Sequence, residues 1–421
     1  MAVSRETVAV KVGNIGIGGD NPVRIQSMAD TATENISETV KQLLSLFNAG
    51  SELLRITVNT PQSAKAVPEI KRNLLKEGCN APLIGDFHYN GHILLKDYPK
   101  CAEMLDKFRI NPGNTGKKDS RTKHFIEICE IAKDLGKPIR IGVNSGSVDE
   151  DLLNFLRKEN EKREAKKSEK EIIVEGMIKS ALNSLEMAID FGMGEDKIIL
   201  SCKTTEPLDL VYLYRKLAKL TKQPLHLGLT EAGGGIKGIV WSTTPLAILL
   251  SEGIGETIRV SLTPSPESDR TEEVFVAKEI LESLNLRNFS PKIVSCPGCG
   301  RTSSNLYRQL AKEIEIFVKK NSLKWVKERN GVEKLKIAVM GCVVNGIGEG
   351  KNADIGISLP GSGENPQSVI FEKGKQVATV KGDIKILLEE MKKRIEKFIE
   401  KEYPFIGEKD GKRPAFKNKR T

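Results

Sequence analysis

Eight short runs rich in β-branched residues recur along the first two-thirds of the chain, and each ends in polar residues. They are VRIQSM (23–28), LLRITVN (53–59), PLIGDFH (82–88), KFRINPGN (107–114), PIRIGVNSGS (138–147), KIILSCKT (197–204), PLHLGLTEAG (224–233) and TIRVSLTP (257–264). With one exception their starts lie roughly 25 to 35 residues apart, and helix-period segments such as 37–49, 63–77, 121–135, 208–221 and 245–252 fill the intervals. Strands alternating with helices at this period are what a (β/α)₈ barrel needs. An α/β fold is therefore expected, with an N-terminal TIM-type barrel over residues 1–265; a doubly wound sheet is the minor alternative. VAVKVGNIGIGG (8–19) is expected as a hairpin on the barrel floor. The one long interval contains residues 157–171, RKENEKREAKKSEKE, in which twelve of fifteen residues are charged. An inserted, solvated helix is expected there.

In such a barrel the chemistry sits where the strands end. Here those ends carry Arg55, Arg109, Arg140, Lys203 and Arg259, with Asn111, Asn144, Ser145 and Ser261 following closely. The third strand adds Asp86 and His88, and the seventh adds His226 and Glu231. Five cations brought together repel one another unless an anion shares them. Arginine offers a planar fork for phosphate oxygens. A phosphate or diphosphate ligand is the expected occupant. No Gly-x-Gly-x-x-Gly opens a helix and there is no P-loop, so ordinary nucleotide binding is not expected.

The net charge of +10 raises nucleic acid as a partner. Part of it is local, because EKDGKRPAFKNKRT (408–421) holds six basic and two acidic residues and so supplies +4 as a basic tail. Aromatic residues make up only 5% of the chain and do not interleave with the basic ones, as a base-stacking platform would require. No nucleic-acid partner is expected. No run is apolar for the ~18 residues that a membrane span needs, and the N-terminus lacks the apolar stretch of a secretory signal. Seven cysteines, an odd number, suit a reducing, cytoplasmic setting. Cys79, Cys101, Cys129 and Cys202 are expected as small buried hydrophobes.

Cys296, Cys299 and Cys342 differ. After a linker helix at 266–290, a second α/β domain is expected at 291–407. It contains SCPGCGRTSSN, with Cys296 and Cys299 in a C-x₂-C loop, and VMGCVVNGIGEG (339–350), where a strand gives way to four glycines, Cys342 and Glu349. A C-x₂-C can be a redox dithiol, half a zinc site or part of an iron–sulfur site. No histidine follows His226, so within this domain Glu349 is the best fourth ligand. A cluster on three thiolates and one displaceable carboxylate leaves an iron able to meet substrate. Zinc and a dithiol stay open at this point. So does the alternative function, a non-redox barrel lyase or transferase on a phosphate ester with a structural zinc module.

RINPGN, HLGLTEAG, EGIGETIRVSLTP, SCPGCGRT and VMGCVVNGIGEG, in this order, closely resemble the bacterial 4-hydroxy-3-methylbut-2-enyl diphosphate synthases of the methylerythritol phosphate pathway. The likeness runs from IQSM to DIGISLPGSGE. It implies a homodimer whose active site is shared between subunits, and reductive ring opening and dehydration of 2-C-methyl-D-erythritol 2,4-cyclodiphosphate. It implies flavodoxin or ferredoxin as a one-electron donor, and a [4Fe–4S] cluster on Cys296, Cys299, Cys342 and Glu349. It also implies a diphosphate cradle of Arg55, Arg109, Arg140, Lys203 and Arg259, with Glu231 as a candidate acid near the departing hydroxyl. Two positions depart from the family pattern: Ile347 stands where proline is common and Glu256 where aspartate is common.

Overall fold

The computed structural model describes residues 5–115, 120–265, 270–302, 305–342, 344, 352–363 and 365–406. The chain divides into two compact units, Met1–Arg287 and Asn288–Thr421.

The first unit begins with an antiparallel hairpin, β1 (Val10–Val12) and β2 (Ile15–Ile17). Then come β3 (Arg24–Met28), α1 (Ile36–Ala49), β4 (Leu53–Thr57), α2 (Pro61–Lys76), β5 (Leu83–Phe87), α3 (Gly91–Asp97), α4 (Pro99–Met104), β6 (Lys107–Ile110), α5 (Arg121–Asp134) and β7 (Ile139–Asn144). The unit continues with α6 (Glu150–Glu161), α7 (Glu169–Asp190), β8 (Ile198–Lys203), α8 (Pro207–Leu220), β9 (His226–Leu227), α9 (Gly235–Ser251), β10 (Thr257–Ile258) and α10 (Thr271–Ser283). Strands β3 to β10 form one parallel sheet in the order β8-β7-β6-β5-β4-β3-β10-β9. A parallel bridge between Leu200 and Leu225 joins its two ends, so the sheet closes on itself as the period predicts.

The hairpin is the barrel's floor. Val10, Val12 and Ile17 pack against Leu53, Ile84 and Ile199, which point inward from β4, β5 and β8. All six are buried. Local chemistry starts the surrounding helices. Thr60 and Ser63 form a reciprocal capping box ahead of α2, with Pro61 in its first turn, and Ser168 with Glu171 does the same for α7.

Several elements depart from expectation. Residues 157–171 are not one inserted helix. They span the end of α6, a turn and the start of α7, and α7 packs on β7 and β8 as the barrel's own helix. The turn is clasped by the buried Asn160, whose amide donates to the Lys167 carbonyl (2.9 Å) and accepts from its N–H (2.8 Å). Strands β9 and β10 are two residues each, much shorter than their β-branched text, and α9 begins ten residues before the expected 245. Helix α10, in the segment read as a linker, packs on α1, α9 and β3.

The second unit holds β11 (Lys292–Ser295), α11 (Leu306–Glu328), β12 (Lys336–Met340), β13 (Ile355–Ser358), β14 (Ser368–Glu372), β15 (Lys375–Val380) and α12 (Ile384–Glu402). Its five strands lie in chain order, the first three parallel and the last two antiparallel. Leu310, Ile314 and Val318 on α11, and Leu387, Met391 and Ile395 on α12, recur every four residues. These helical stripes bury against Ile337, Val339, Ile355 and Ile357 of the sheet. The basic tail at 408–421 lies outside the described residues.

Ile17→Ala removes a fully buried floor side chain. It should cost about 2–5 kcal/mol, read as a lower urea midpoint for unfolding of the barrel unit. An unchanged midpoint would show that the hairpin does not seal the floor.

Candidate functional site

Parallel register and a two-residue pleat decide which strand residues face the barrel interior. Asp86 pairs with Arg109, and Arg109 with Arg140, across β5, β6 and β7. These three therefore point to the same side, as do Met28 and Arg55 on β3 and β4. Asp86 joins the group. Its Oδ1 accepts from Arg109 Nη1 at 2.9 Å, and its Oδ2 lies 3.6 Å from Arg55 Nε. His88 Nε2 meets the same Arg109 Nη1 at 2.7 Å. Arg55 also donates to the Met28 sulfur, from Nε at 3.1 Å and Nη2 at 2.8 Å. Arg140 Nη1 donates to Ser201 Oγ.

Two glycines make room for these chains. A Cβ on Gly142 would stand 2.8 Å from Arg109 Nε, and one on Gly228 would stand 3.0 Å from Lys203 Nζ and 2.7 Å from the Arg259 carbonyl oxygen. A larger residue at either position would force these neighbours to shift.

Charge opposes burial throughout. Burial alone would raise the Asp86 carboxyl, but the charges of Arg109 and Arg55 hold it well below the usual carboxylate range. Burial pushes Arg55 down to about 9 despite Asp86, and lowers Lys203 and Arg140 strongly, with neighbouring cations adding to the effect. A guanidinium still does not lose its proton in a protein. These directions are those of a mouth short of negative charge.

Arg259 finds a partner that strand-end reading missed. Glu273 on α10 lies 3.8 Å from Arg259 and 2.6 Å from Arg270, and accepts from the Leu262 N–H at 3.0 Å. The helix following the last strand thus positions a strand-end cation. Asn111 and Asn144 meet through Ser147. Its hydroxyl accepts from Asn111 Nδ2 at 3.1 Å and donates to the Asn144 carbonyl at 2.8 Å. Ser261 is partly buried and its hydroxyl has no partner among the described residues. Glu231 is exposed and has a backbone φ of 58°. A non-glycine residue held there carries strain of the kind that collects at functional sites.

In the second unit Ser295 of β11 pairs with Val339 of β12 in parallel register. The chain segments bearing Cys296 and Cys342 therefore leave the same end of neighbouring strands. The Gly341 N–H donates to Cys296 Sγ at 3.2 Å, the kind of bond that stabilises a thiolate. Ser358 Oγ donates to the Cys342 carbonyl at 2.6 Å, and the Cys299 N–H donates to Thr302 Oγ1 at 3.1 Å. Gly298, at φ 84°, leaves room for the Tyr307 hydroxyl, which donates to the Pro297 carbonyl at 3.0 Å. Cys342 is buried, Cys296 is half-buried and Cys299 is exposed. Among the described residues no three His, Cys, Asp or Glu side chains are gathered as a metal site. Glu349 and Ile347 lie outside those residues. Soft thiol donors, one already receiving a backbone N–H, fit an iron–sulfur group. By contrast Cys79, Cys101, Cys129 and Cys202 are buried in the barrel unit. Burial pushes the last three up to about 12, and they behave as inert hydrophobes.

Asp86→Asn should destabilise the barrel by about 3–5 kcal/mol, because two buried guanidinium groups lose their charge partner. Inorganic pyrophosphate should restore part of the loss in thermal unfolding, and no pyrophosphate response would remove Asp86 as the resident counter-charge. His226 is fully buried, and burial with its cationic neighbours drives its folded pKa well below 6.5. Below pH 6.5 the unfolded chain therefore binds a proton that the folded chain does not. Its contribution to stability is present above 6.5 and falls with pH, by up to about 1.4 kcal/mol per unit. His226→Gln should flatten the urea-midpoint profile between pH 6.5 and 5; an unchanged slope would contradict this.

Among solved structures the chain is similar to dihydropteroate synthase from Stenotrophomonas maltophilia, at 12% identity over 66% of this chain and 98% of that one, with a TM-score of 0.46. It is similar to dihydropteroate synthase from Vibrio fischeri ES114 at 13% identity, over 66% of this chain and 98% of that one, TM-score 0.46. For 3-dehydroquinate dehydratase from Geobacillus kaustophilus HTA426 the identity is 13%, over 67% of this chain and 99% of that one, TM-score 0.41. Nothing about chemistry passes from likenesses at this level. The family models are decisive. Residues 7–278 match the GcpE TIM-barrel domain, and residues 292–397 match the GcpE protein C-terminal domain. The chain belongs to the GcpE family, iron–sulfur-dependent oxidoreductases that convert 2-C-methyl-D-erythritol 2,4-cyclodiphosphate to (E)-4-hydroxy-3-methylbut-2-enyl diphosphate in isoprenoid precursor synthesis.

Proposed function

We propose that the barrel mouth holds the diphosphate of the substrate on Arg55, Arg109, Arg140, Lys203 and Arg259, with Asp86 and His88 orienting Arg109 and with Asn111, Asn144 and Ser261 at the rim. The observation that carries this is the charge imbalance. Four buried cations, Arg55, Arg109, Arg140 and Lys203, and the half-buried Arg259 face two carboxylates among the described residues, Asp86 and Glu273, and Glu273 is shared with Arg270. The reaction takes up two electrons and one proton. The C2–O bond to the diphosphate breaks, a hydroxyl departs as water, and the diphosphate stays attached through its other ester. The product's diphosphate carries one more negative charge than the cyclic form, so a cradle with excess positive charge favours the developing state over the ground state.

Glu231 is assigned the proton delivered to the departing hydroxyl, supported by its place after β9 and its strained backbone. Cys296, Cys299, Cys342 and Glu349 are assigned to a [4Fe–4S] cluster, the carboxylate being the displaceable ligand. When bound, that cluster supplies the two electrons one at a time and an open iron next to the substrate. Flavodoxin or ferredoxin is the proposed donor. A homodimer in which each active site draws on both subunits, working in the cytoplasm, completes the proposal. No helix among the described residues is long and apolar enough to cross a membrane.

The test is an anaerobic assay with the cyclic diphosphate and a strong one-electron reductant, on protein purified without oxygen. A brown protein with four irons per chain and formation of the linear diphosphate are expected; stoichiometric zinc without iron, and no turnover, would sink the reading. Arg109→Ala should raise KM by about 10- to 150-fold, the equivalent of a charged hydrogen bond worth about 1.5–3 kcal/mol, with iron content unchanged. Cys342→Ser should lose iron, whereas Glu349→Ala should keep it and lose turnover; full activity in the latter would remove Glu349 from the site.

A further inference from the structure

Below the cradle the barrel interior holds a second set of donors. Lys107 is one pleat beneath Arg109 on β6, and Gln26 is one pleat beneath Met28 on β3. Arg140 reaches inward from β7 and His226 from β9. This tier is closed to solvent. Gln26 and Arg140 are 1% exposed, and Lys107 and His226 are 0% exposed, whereas Arg55, Arg109 and Lys203 keep 5%, 6% and 8%. Lys107 Nζ, Arg140 Nε and Nη2, His226 Nε2 and the Gln26 amide have no hydrogen-bond partner among the described residues. Thr257 Oγ1 lies 3.1 Å from His226 Nδ1; donation from that hydroxyl places the ring hydrogen on Nε2, making it a further donor.

Among the described residues the one carboxylate acting on these groups is Asp86, which offsets part of the Arg140 charge. The charged neighbours of Lys107 are Arg140 and Arg55, both positive. Asp86 is already committed to Arg109 and Arg55. The floor below is apolar, built from Val10, Val12, Ile17, Leu53, Ile84 and Ile199. Lys107 can shed its charge by giving up a proton, but Arg140 cannot. A fixed positive charge with two such donors therefore remains inside a barrel closed to solvent, offset only in part by an Asp86 that it shares with two other guanidinium groups, and an under-compensated buried charge is costly. Water would satisfy the hydrogen bonds and leave that charge uncompensated.

We propose that the barrel binds a small monovalent inorganic anion of the halide class one tier below the diphosphate cradle, on Lys107 Nζ, Arg140 Nε and Nη2, and His226 Nε2, with Gln26 on the same tier. The site borders the substrate's and shares Arg140 with it: diphosphate enters from the strand ends and meets Arg55, Arg109 and Lys203 first, whereas Lys107, His226 and Gln26 lie deeper. The inner anion stays in place as substrate comes and goes. It holds Arg140 against its cationic neighbours in the free enzyme.

Bromide is the probe. Crystals of the full chain, loaded with its iron–sulfur group, are soaked in bromide with and without inorganic pyrophosphate, and bromine is located by its anomalous scattering. The expected result is a peak within contact of Lys107 Nζ and Arg140 that persists when pyrophosphate fills the upper tier. A peak confined to Arg55, Arg109 and Lys203 that pyrophosphate removes would mean an adventitious ion only, and would overturn the proposal. So would an empty lower tier or water there. In solution, bromide replacing gluconate at constant ionic strength and saturating pyrophosphate should raise Tm along a saturable curve. Lys107→Met should weaken the half-saturation at least tenfold, and an unshifted curve would overturn the proposal; Lys107→Gln serves if the methionine variant does not fold. None of these measurements uses turnover, so they fail or succeed independently of the substrate and cluster assignments.

Discussion

The barrel mouth depends on one carboxylate. Asp86 lies among buried cations and bonds or pairs with two of them. Around it the backbone gives way: Gly142 makes room for Arg109 and Gly228 for Lys203. A buried ion pair is an uncertain source of stability, since desolvation offsets much of the attraction. Its value here is geometric. Asp86 fans two guanidinium groups across the mouth and leaves much of their neighbours' charge uncancelled, which is the basis for the diphosphate cradle proposed above.

Both candidate sites use the same device. In the barrel the side chains gather at the carboxyl ends of parallel strands. In the second unit Cys296 and Cys342 leave the carboxyl ends of the parallel pair β11 and β12. Ligands in α/β sheets collect at such ends because the chain can turn there without breaking the ladder. The second unit then switches to antiparallel pairing at β14 and β15, farther along the sheet from the cysteines.

Most of the barrel was legible because its strands are buried on both faces and read as apolar runs with polar ends. Arg55, Arg109, Arg140 and Lys203 stand out in such runs as charges where none belong. What escaped was set by tertiary structure. Strands β9 and β10 pair over only two residues each, although their β-branched text runs on. The charge density at 157–171 hides a helix break, because the Asn160 clasp that makes the turn depends on one buried side chain. Glu273 sits on a helix, so a search of strand ends passes over it. The depth of Lys107 and His226 is also invisible in sequence, where an inward lysine beneath the mouth reads like one at the rim. Glu349 was singled out by counting ligands, and the described residues neither add to nor subtract from that count.

The hairpin floor has an electrical consequence. Val10, Val12 and Ile17 close one end of the barrel with hydrocarbon, while the cations stand at the other. A low-dielectric wall turns field lines away, so the potential of the enclosed charge emerges through a single aperture. The barrel then acts as a one-ended electrostatic lens. It draws polyanions toward the strand ends along one axis, and that pull fades as salt screens it.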